Sequence, residues 1–197
     1  LPGSGLTALA AGPGLGTSTV ARGLLEACLA TSLPVVLDAD ALNLLAGNPE
    51  VLRGRSSPTV LTPHPGEASR LLGVPTAAVG ADPEGAAKRL ATASGATVVL
   101  KGFRSVIASP EGRTARVLSG NPGMASGGSG DVLTGVVGAL LARGLPAWEA
   151  AGAGAFLHGL AGDLARERLG EEALAASDVS GALAEAIQVV TGSGQAP

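Results

Sequence analysis

The stretch "NPGMASGGSGDVLTGVVGALLARG", residues 121–144, decides how the rest of the chain is read. It sets Gly127, Gly128 and Gly130, then Asp131, ahead of an apolar run. Val132, Leu133, Val136, Val137, Leu140 and Leu141 recur at helical spacing, which predicts a helix over roughly 130–143. A helix N-terminus offers unpaired amides and the positive end of the macrodipole. Glycines let an anion approach those amides closely. A purely structural helix start needs one cap, and Ser129 or Asp131 alone would supply it. The glycine run exceeds that need. The stretch therefore reads as an anion-binding turn with a carboxylate at its mouth.

Upstream of it, short apolar runs alternate with helical patterns. Strands are expected over 6–12, 34–38, 58–63 and 97–102. Helices are expected over 18–31, over a short segment ending at Gly47, from Gly66 to Gly73, and over 83–94. Residues 104–119 alternate and turn at Pro110-Glu111-Gly112, which predicts an antiparallel hairpin. Downstream the chain reads as helical over 130–143, 147–169 and 178–191, with a frayed tail. This order predicts an α/β fold with a mostly parallel sheet covered by helices and a helical C-terminal third. Open sheets of this kind bind ligands beyond the carboxyl ends of their strands. Gly14 to Gly16, Asp38 to Asp40, Thr62 to Glu67 and Lys101 to Arg104 all follow strand ends, so four loops are expected to converge there.

The 197 residues suffice for one domain, 1–197, with a sizeable core, built from aliphatics because aromatics make up only 2%. A net charge of −3 leaves no broad basic surface for nucleic acid or an anionic membrane, so an anionic ligand needs a local site. The single cysteine, Cys28, excludes an internal disulfide and reads as a small buried hydrophobe. No run of 18 apolar residues suggests a membrane span, and "LPGSGLTALAAGPG" has no basic region of the signal-peptide kind. A reducing, cytoplasmic setting is the expectation.

Two familiar nucleotide motifs do not fit. A Walker loop needs Gly-Lys-Ser/Thr, and here Asp131 follows Gly130. In "GPGLGTS", 12–18, a dinucleotide fingerprint would need its third glycine at Thr17. Other candidates carry two readings each. His64, between Pro63 and Pro65, is held in a loop after a strand, which suits a ligand contact better than a core histidine. Glu67 fits a first-turn acid or a metal or water ligand equally. Lys101 is a phosphate partner or a solvated strand end. Asp40 suits a helix cap, and Asp38, at a strand end, is the better functional candidate. His158 lies mid-helix and reads as packing. No His or carboxylate spacing marks a metal site, so any Mg²⁺ is expected to arrive with nucleotide phosphates.

"AGPGLG", "LDADALN", "TPHPGE", "VLKGFRSVIASPEG" and "GNPGMASGGSGDVLTGVVGALLARG", in this order, resemble the ADP/ATP-dependent NAD(P)H-hydrate dehydratase family of the ribokinase-like superfamily. The resemblance runs from about residue 9 to about 187. "GSGD" indicates only the superfamily, and "PHPGE" with "NPGMASGGSGD" is far more specific. The resemblance implies dehydration of hydrated NADH or NADPH (the 6S epimer) at the expense of ADP or ATP with Mg²⁺. It implies Asp131 as catalytic base. It places Gly14, Gly16, His64 and Asn121, with Asp131, on the hydrated nicotinamide nucleotide. Lys101, Gly102, Phe103, Arg104, Ser105, Gly128, Ser129 and Gly130 would line the adenine nucleotide. The helices after residue 130 would pack on the sheet. A homo-oligomer, such as a tetramer, is expected.

The family's domain begins with a further glycine-rich strand–loop–helix segment, so the domain is expected to be N-terminally incomplete here. Two other readings compete. One is a kinase of a vitamin-precursor alcohol, which would use Asp131 identically and release a stable phosphate ester. The other is a nucleotide-binding module without catalysis.

Overall fold

A computed structural model describes residues 5–192. Its six strands, Leu9–Ala11 (β1), Val35–Leu37 (β2), Thr59–Leu61 (β3), Thr97–Leu100 (β4), Val106–Ala108 (β5) and Thr114–Arg116 (β6), form one sheet in sequence order. β1 to β4 run parallel, and β5 and β6 complete the sheet as the expected antiparallel hairpin. Its helices are Thr19–Leu29 (α1), Ala39–Leu44 (α2), Pro65–Leu72 (α3), Thr76–Ala81 (α4), Pro83–Ser94 (α5), Ser129–Ala142 (α6), Ala147–Leu169 (α7) and Ala176–Thr191 (α8).

Strand periodicity explains the layering. Val35, Leu37, Leu61, Val98 and Leu100 point to one face and join Leu25, Leu42, Leu71 and Leu90 from α1, α2, α3 and α5. Val36, Val60, Val99 and Ile107 point to the other and meet Leu133, Val137 and Leu141 of α6 and Ala150, Ala151 and Ala155 of α7. Both faces are covered, which is why the central strands are buried throughout and apolar apart from Thr59 and Thr97 at their starts.

The structure revises several expectations. The strands are shorter than the apolar runs, losing residues at the start in β1 to β3 and at the end in all four. α4 was not expected. "TAAVGA" has no apolar stripe and buries only Val79. α8 does not pack on the sheet with α6 and α7. It packs on α7 and α6, around a separate cluster of Ala161, Ala165, Leu174, Val179, Ala182 and Ala186. Cys28 is half-buried rather than fully buried. Most of the tail "TGSGQAP" lies outside the described residues.

Candidate active site

The four strand-end loops do converge, and hydrogen bonds show how. After β2, the Asp38 amide donates to Ala11 O of β1 at 3.1 Å, and the Thr62 amide donates to Leu37 O at 3.1 Å. The Lys101 amide donates to Pro63 O at 2.8 Å. The ladder thus continues one residue past the strands and sets the loops side by side. Gly12 is required here: its φ is +136°, and a Cβ would lie 1.7 Å from Asp38 O. Gly14 and Gly16 also have positive φ, 69° and 75°, and the Gly16 amide donates to Asp40 Oδ2 at 2.8 Å. Asp40 therefore tethers the glycine loop instead of capping α2.

Asp38 is the buried centre of the site, 1% exposed. Its Oδ1 accepts from Lys101 Nζ at 2.6 Å and its Oδ2 from Thr134 Oγ1 at 2.9 Å. Lys101 also lies 3.9 Å from Glu67 Oε2. One ammonium is shared by two buried carboxylates, and α6 is tied to β2 through Thr134. The residue after Asp38, Ala39, sits in the left-handed region at φ 48°, a strained geometry for a side-chain-bearing residue.

His64 is the N-cap of α3 rather than a free loop residue. Its Nδ1 accepts from the amides of Gly66 and Glu67. Glu67 closes the box, accepting from the His64 amide at 2.8 Å, while its Oε1 lies 3.3 Å from His64 Nε2. The His64 side chain stays half exposed. Of the two readings of Glu67, the first-turn acid fits the geometry. No group of three or more His, Cys, Asp or Glu side chains placed to hold a metal occurs among the described residues.

At the opening of α6, neither Ser129 nor Asp131 caps. Gly128, at φ 88°, is the N-cap, and no side chain accepts from the first turn. The Ser129 amide donates to Ser126 O at 3.3 Å, which leaves the Gly128 and Gly130 amides as those an anion would need. A Cβ on Gly130 would lie 3.0 Å from Lys101 Nζ, so Lys101 sits directly beside this opening. The Asp131 side chain is exposed and takes no hydrogen bond or ion pair among the described residues. Ahead of it, Asn121 Nδ2 donates to Asp163 Oδ1 at 3.0 Å, and the Gly120 amide donates to Asp163 Oδ2 at 2.8 Å. Asn121 Oδ1 is buried without a partner. The "NPGM" turn seats on the glycine face of α7, where a Cβ on Gly162 would lie 2.1 Å from Met124 Sδ.

In the loop after β4, Phe103 is 85% exposed, and the Arg104 guanidinium lies 5.4 Å from its ring centroid. Arg104 has φ 58°. Gly102 is exposed, and the Ser105 hydroxyl donates to Gly102 O at 3.4 Å, closing the loop.

Three participants were not read as such from the sequence: Thr134, Asp163 and His158. His158 Nε2 lies 3.3 Å from Ser129 Oγ, so this ring faces the site. Burial pushes its pKa down to about 4, helped by the nearby positive charge of Lys101, and hydrogen bonding to the Ser129 backbone opposes the shift. Each of the three pairs across more than 25 residues, with no local signal in the sequence.

Solved structures place this architecture in the ribokinase-like class. A ribokinase-like superfamily protein of Enterococcus faecalis superposes with a TM-score of 0.74 at 30% identity, over 91% of this chain and 62% of that one. Within the class, the sequence pattern of NAD(P)H-hydrate dehydratases matches residues 4–185, and the chain belongs to that family. The ADP-dependent (S)-NAD(P)H-hydrate dehydratase of Neisseria meningitidis serogroup B is 47% identical over 186 residues, 92% of this chain. The ADP/ATP-dependent NAD(P)H-hydrate dehydratase of Bacillus subtilis, co-crystallised with ATP/Mg²⁺, superposes with a TM-score of 0.86 at 33% identity over 93% of this chain. The chain spans 62% of the length of the Neisseria relative and 64% of the Bacillus chain.

Proposed function

We propose that the chain carries the site of an ADP- or ATP-dependent NAD(P)H-hydrate dehydratase, a hydro-lyase that restores NADH and NADPH from their 6S hydrates. The observation that carries this reading is the uncapped, glycine-opened N-terminus of α6 with an unpaired, exposed Asp131 at its mouth.

The chemistry follows from that placement. Asp131 takes the proton of the C6 hydroxyl as its oxygen attacks the terminal phosphoryl group of the nucleotide. The amides of Gly128 and Gly130, with the α6 dipole, offset the negative charge that develops. ADP leaves AMP, or ATP leaves ADP, and the hydroxyl has become a phosphate ester. The ring nitrogen lone pair then expels phosphate from C6. Loss of a proton from C5 restores the double bond. Mg²⁺, carried on the nucleotide phosphates, supplies charge that the residues here do not.

Assignment of the remaining residues rests on position. Lys101 to Ser105 line the nucleotide side, where exposed Phe103 offers a stacking face for a purine. Gly14, Gly16 and His64, on the neighbouring strand-end loops, face the nicotinamide nucleotide, and Asn121, tied to Asp163, shapes that side of the site. Residues 1–197 are read as one ribokinase-like domain. A homo-oligomer built on exposed Ile187, Val189 and Val190 of α8 completes the proposal and is tested by light scattering on the eluting species. No helix among the described residues is long and apolar enough to cross a membrane, and a cytoplasmic setting suits the substrates.

The decisive assay mixes the chain with hydrated NADH, Mg²⁺ and ADP or ATP and follows the reduced-nicotinamide absorbance band. A nucleotide-dependent rise is expected. Asp131→Asn should slow turnover about 10²- to 10⁴-fold while leaving nucleotide binding in place. Turnover of that variant within a few-fold of the parent would sink the assignment of the base. A stable phosphorylated alcohol as product would identify a kinase instead.

A further inference from the structure

His158 is a polar residue on a helix face otherwise built from small ones. Gly154, Ala155, Gly159, Ala161 and Gly162 let α7 approach its neighbours closely. Packing alone would be met by another small residue. Instead the ring reaches Ser129, the first residue of α6, whose side chain is buried with the residue at 6% exposure. The ring is uncharged at neutral pH, since its pKa lies near 4. Lys101 is the charged group that acts on it, from the loop after β4.

A neutral imidazole carries one N–H and one lone pair, and a hydroxyl carries one proton. Two arrangements are available. If Nε2 is bare, Ser129 donates into the ring, and its proton is lost to any anion at the helix opening. If Nε2 carries the proton, it donates to Ser129 Oγ and leaves the hydroxyl proton free for another acceptor. The contact itself, Oγ to Nε2 at 3.3 Å, is the same in both. Only the second leaves the hydroxyl a proton to give to an anion at the α6 amides.

We propose that His158 is a positioning residue, whose Nε2–H holds Ser129 Oγ so that the hydroxyl proton points to the anion bound at the α6 amides. This rests on the nucleotide-site reading above. It adds a directed donor to a site otherwise made of backbone amides and one shared ammonium. It also explains why the ring is kept neutral: a second cation beside Lys101 is avoided while the donor is retained.

The test is ADP titration calorimetry on the parent chain, His158→Phe, His158→Gln, Ser129→Ala and the Ser129→Ala/His158→Phe pair. Melting temperatures check that each is folded. His158→Phe and Ser129→Ala should each weaken ADP binding about tenfold, the scale of one hydrogen bond to a charged group. The pair should lose no more than either alone. His158→Gln, whose amide N–H can serve the same hydroxyl, should stay within about threefold of the parent. A purely structural role would not be rescued by glutamine and would not vanish in the Ser129→Ala background. The proposal is overturned if His158→Phe binds ADP like the parent, or if the two losses multiply. Failure of the parent chain to bind ADP overturns the nucleotide site as well. ADP binding with multiplying losses overturns the role of His158 alone.

Discussion

Replacing Asp38 by alanine should cost more stability than any other single truncation at the site. The carboxylate is 1% exposed and bonds Lys101 Nζ at 2.6 Å and Thr134 Oγ1 at 2.9 Å. Without it, the Lys101 ammonium keeps only Glu67 Oε2, at 3.9 Å. The Thr134 hydroxyl, in a residue 2% exposed, must turn back to its own helix. Breaking a buried pair by removing one partner costs about 3–5 kcal/mol, chiefly because a charge is left uncompensated. Lys101 retains 21% exposure and its contact with Glu67, which moves the loss to the lower end, about 3 kcal/mol. For a chain of this size that is a fall of about 6–12 °C in melting temperature. Urea unfolding followed by far-ultraviolet circular dichroism at neutral pH measures it. The second arm is Lys101→Met in the Asp38→Ala background. Removing the orphaned charge should recover about 1 kcal/mol or more relative to Asp38→Ala. A loss below about 1 kcal/mol for Asp38→Ala would refute the reasoning. So would a double variant less stable than the single one.

Three further outcomes follow from the geometry. His158 has a folded pKa near 4 against an ordinary 6.5, so the unfolded chain binds its proton first. Its contribution is complete above about pH 6.5 and is lost as pH falls toward 4, with a ceiling of about 3 kcal/mol. Urea midpoints of the parent and His158→Gln should diverge across that window, and parallel curves would contradict the buried neutral ring. Gly12→Ala sets a Cβ 1.7 Å from Asp38 O at φ +136°, and an unchanged urea midpoint, in place of a loss of about 3 kcal/mol, would contradict the close approach of β1 to β2. Gly162→Ala drives a Cβ to 2.1 Å from Met124 Sδ, at about 1–3 kcal/mol, and Met124→Ala in the same chain should recover part of that loss.

Much of the architecture is readable because it is local. The α5 and α7 boundaries, 83–94 and 147–169, are fixed by Pro83, by the Pro146 stop and by Gly95 and Gly170 just past their ends. The hairpin follows from alternation around Pro110-Glu111-Gly112. The convergence of four loops follows from parallel strands alone. What is not readable depends on the third dimension. Thr134 looks like one more position in an apolar helix, and only the fold brings it to Asp38, 96 residues away. His158 looks like packing until α7 crosses α6. The apolar pattern of α8 states that it has a buried face, not whether a sheet or a helix covers that face.

The charges of the site bear on how it can attract an anion at all. Asp38, Glu67 and Asp131 carry three formal negative charges, and Lys101 returns one positive charge. The Lys101 ammonium is already engaged by Asp38 and lies near Glu67, so it is a poor lone clamp for a polyphosphate. The attraction must come from fixed dipoles, which do not cost the site a neutralising counter-charge. That requirement accounts for the glycine-opened turn: amides can be brought near a phosphate only where no Cβ intervenes. It accounts for the absence of a side-chain cap on α6, since a capping oxygen would occupy the amides that the ligand needs. It also leaves Asp131 unpaired and exposed, the state a base must keep. A divalent ion carried on the phosphates lowers the negative charge that this net negative site must accept, so ADP binding should weaken when the ion is removed by a chelator. Binding that is indifferent to the chelator would mean that the dipoles and exposed Arg104 hold the phosphates without the ion.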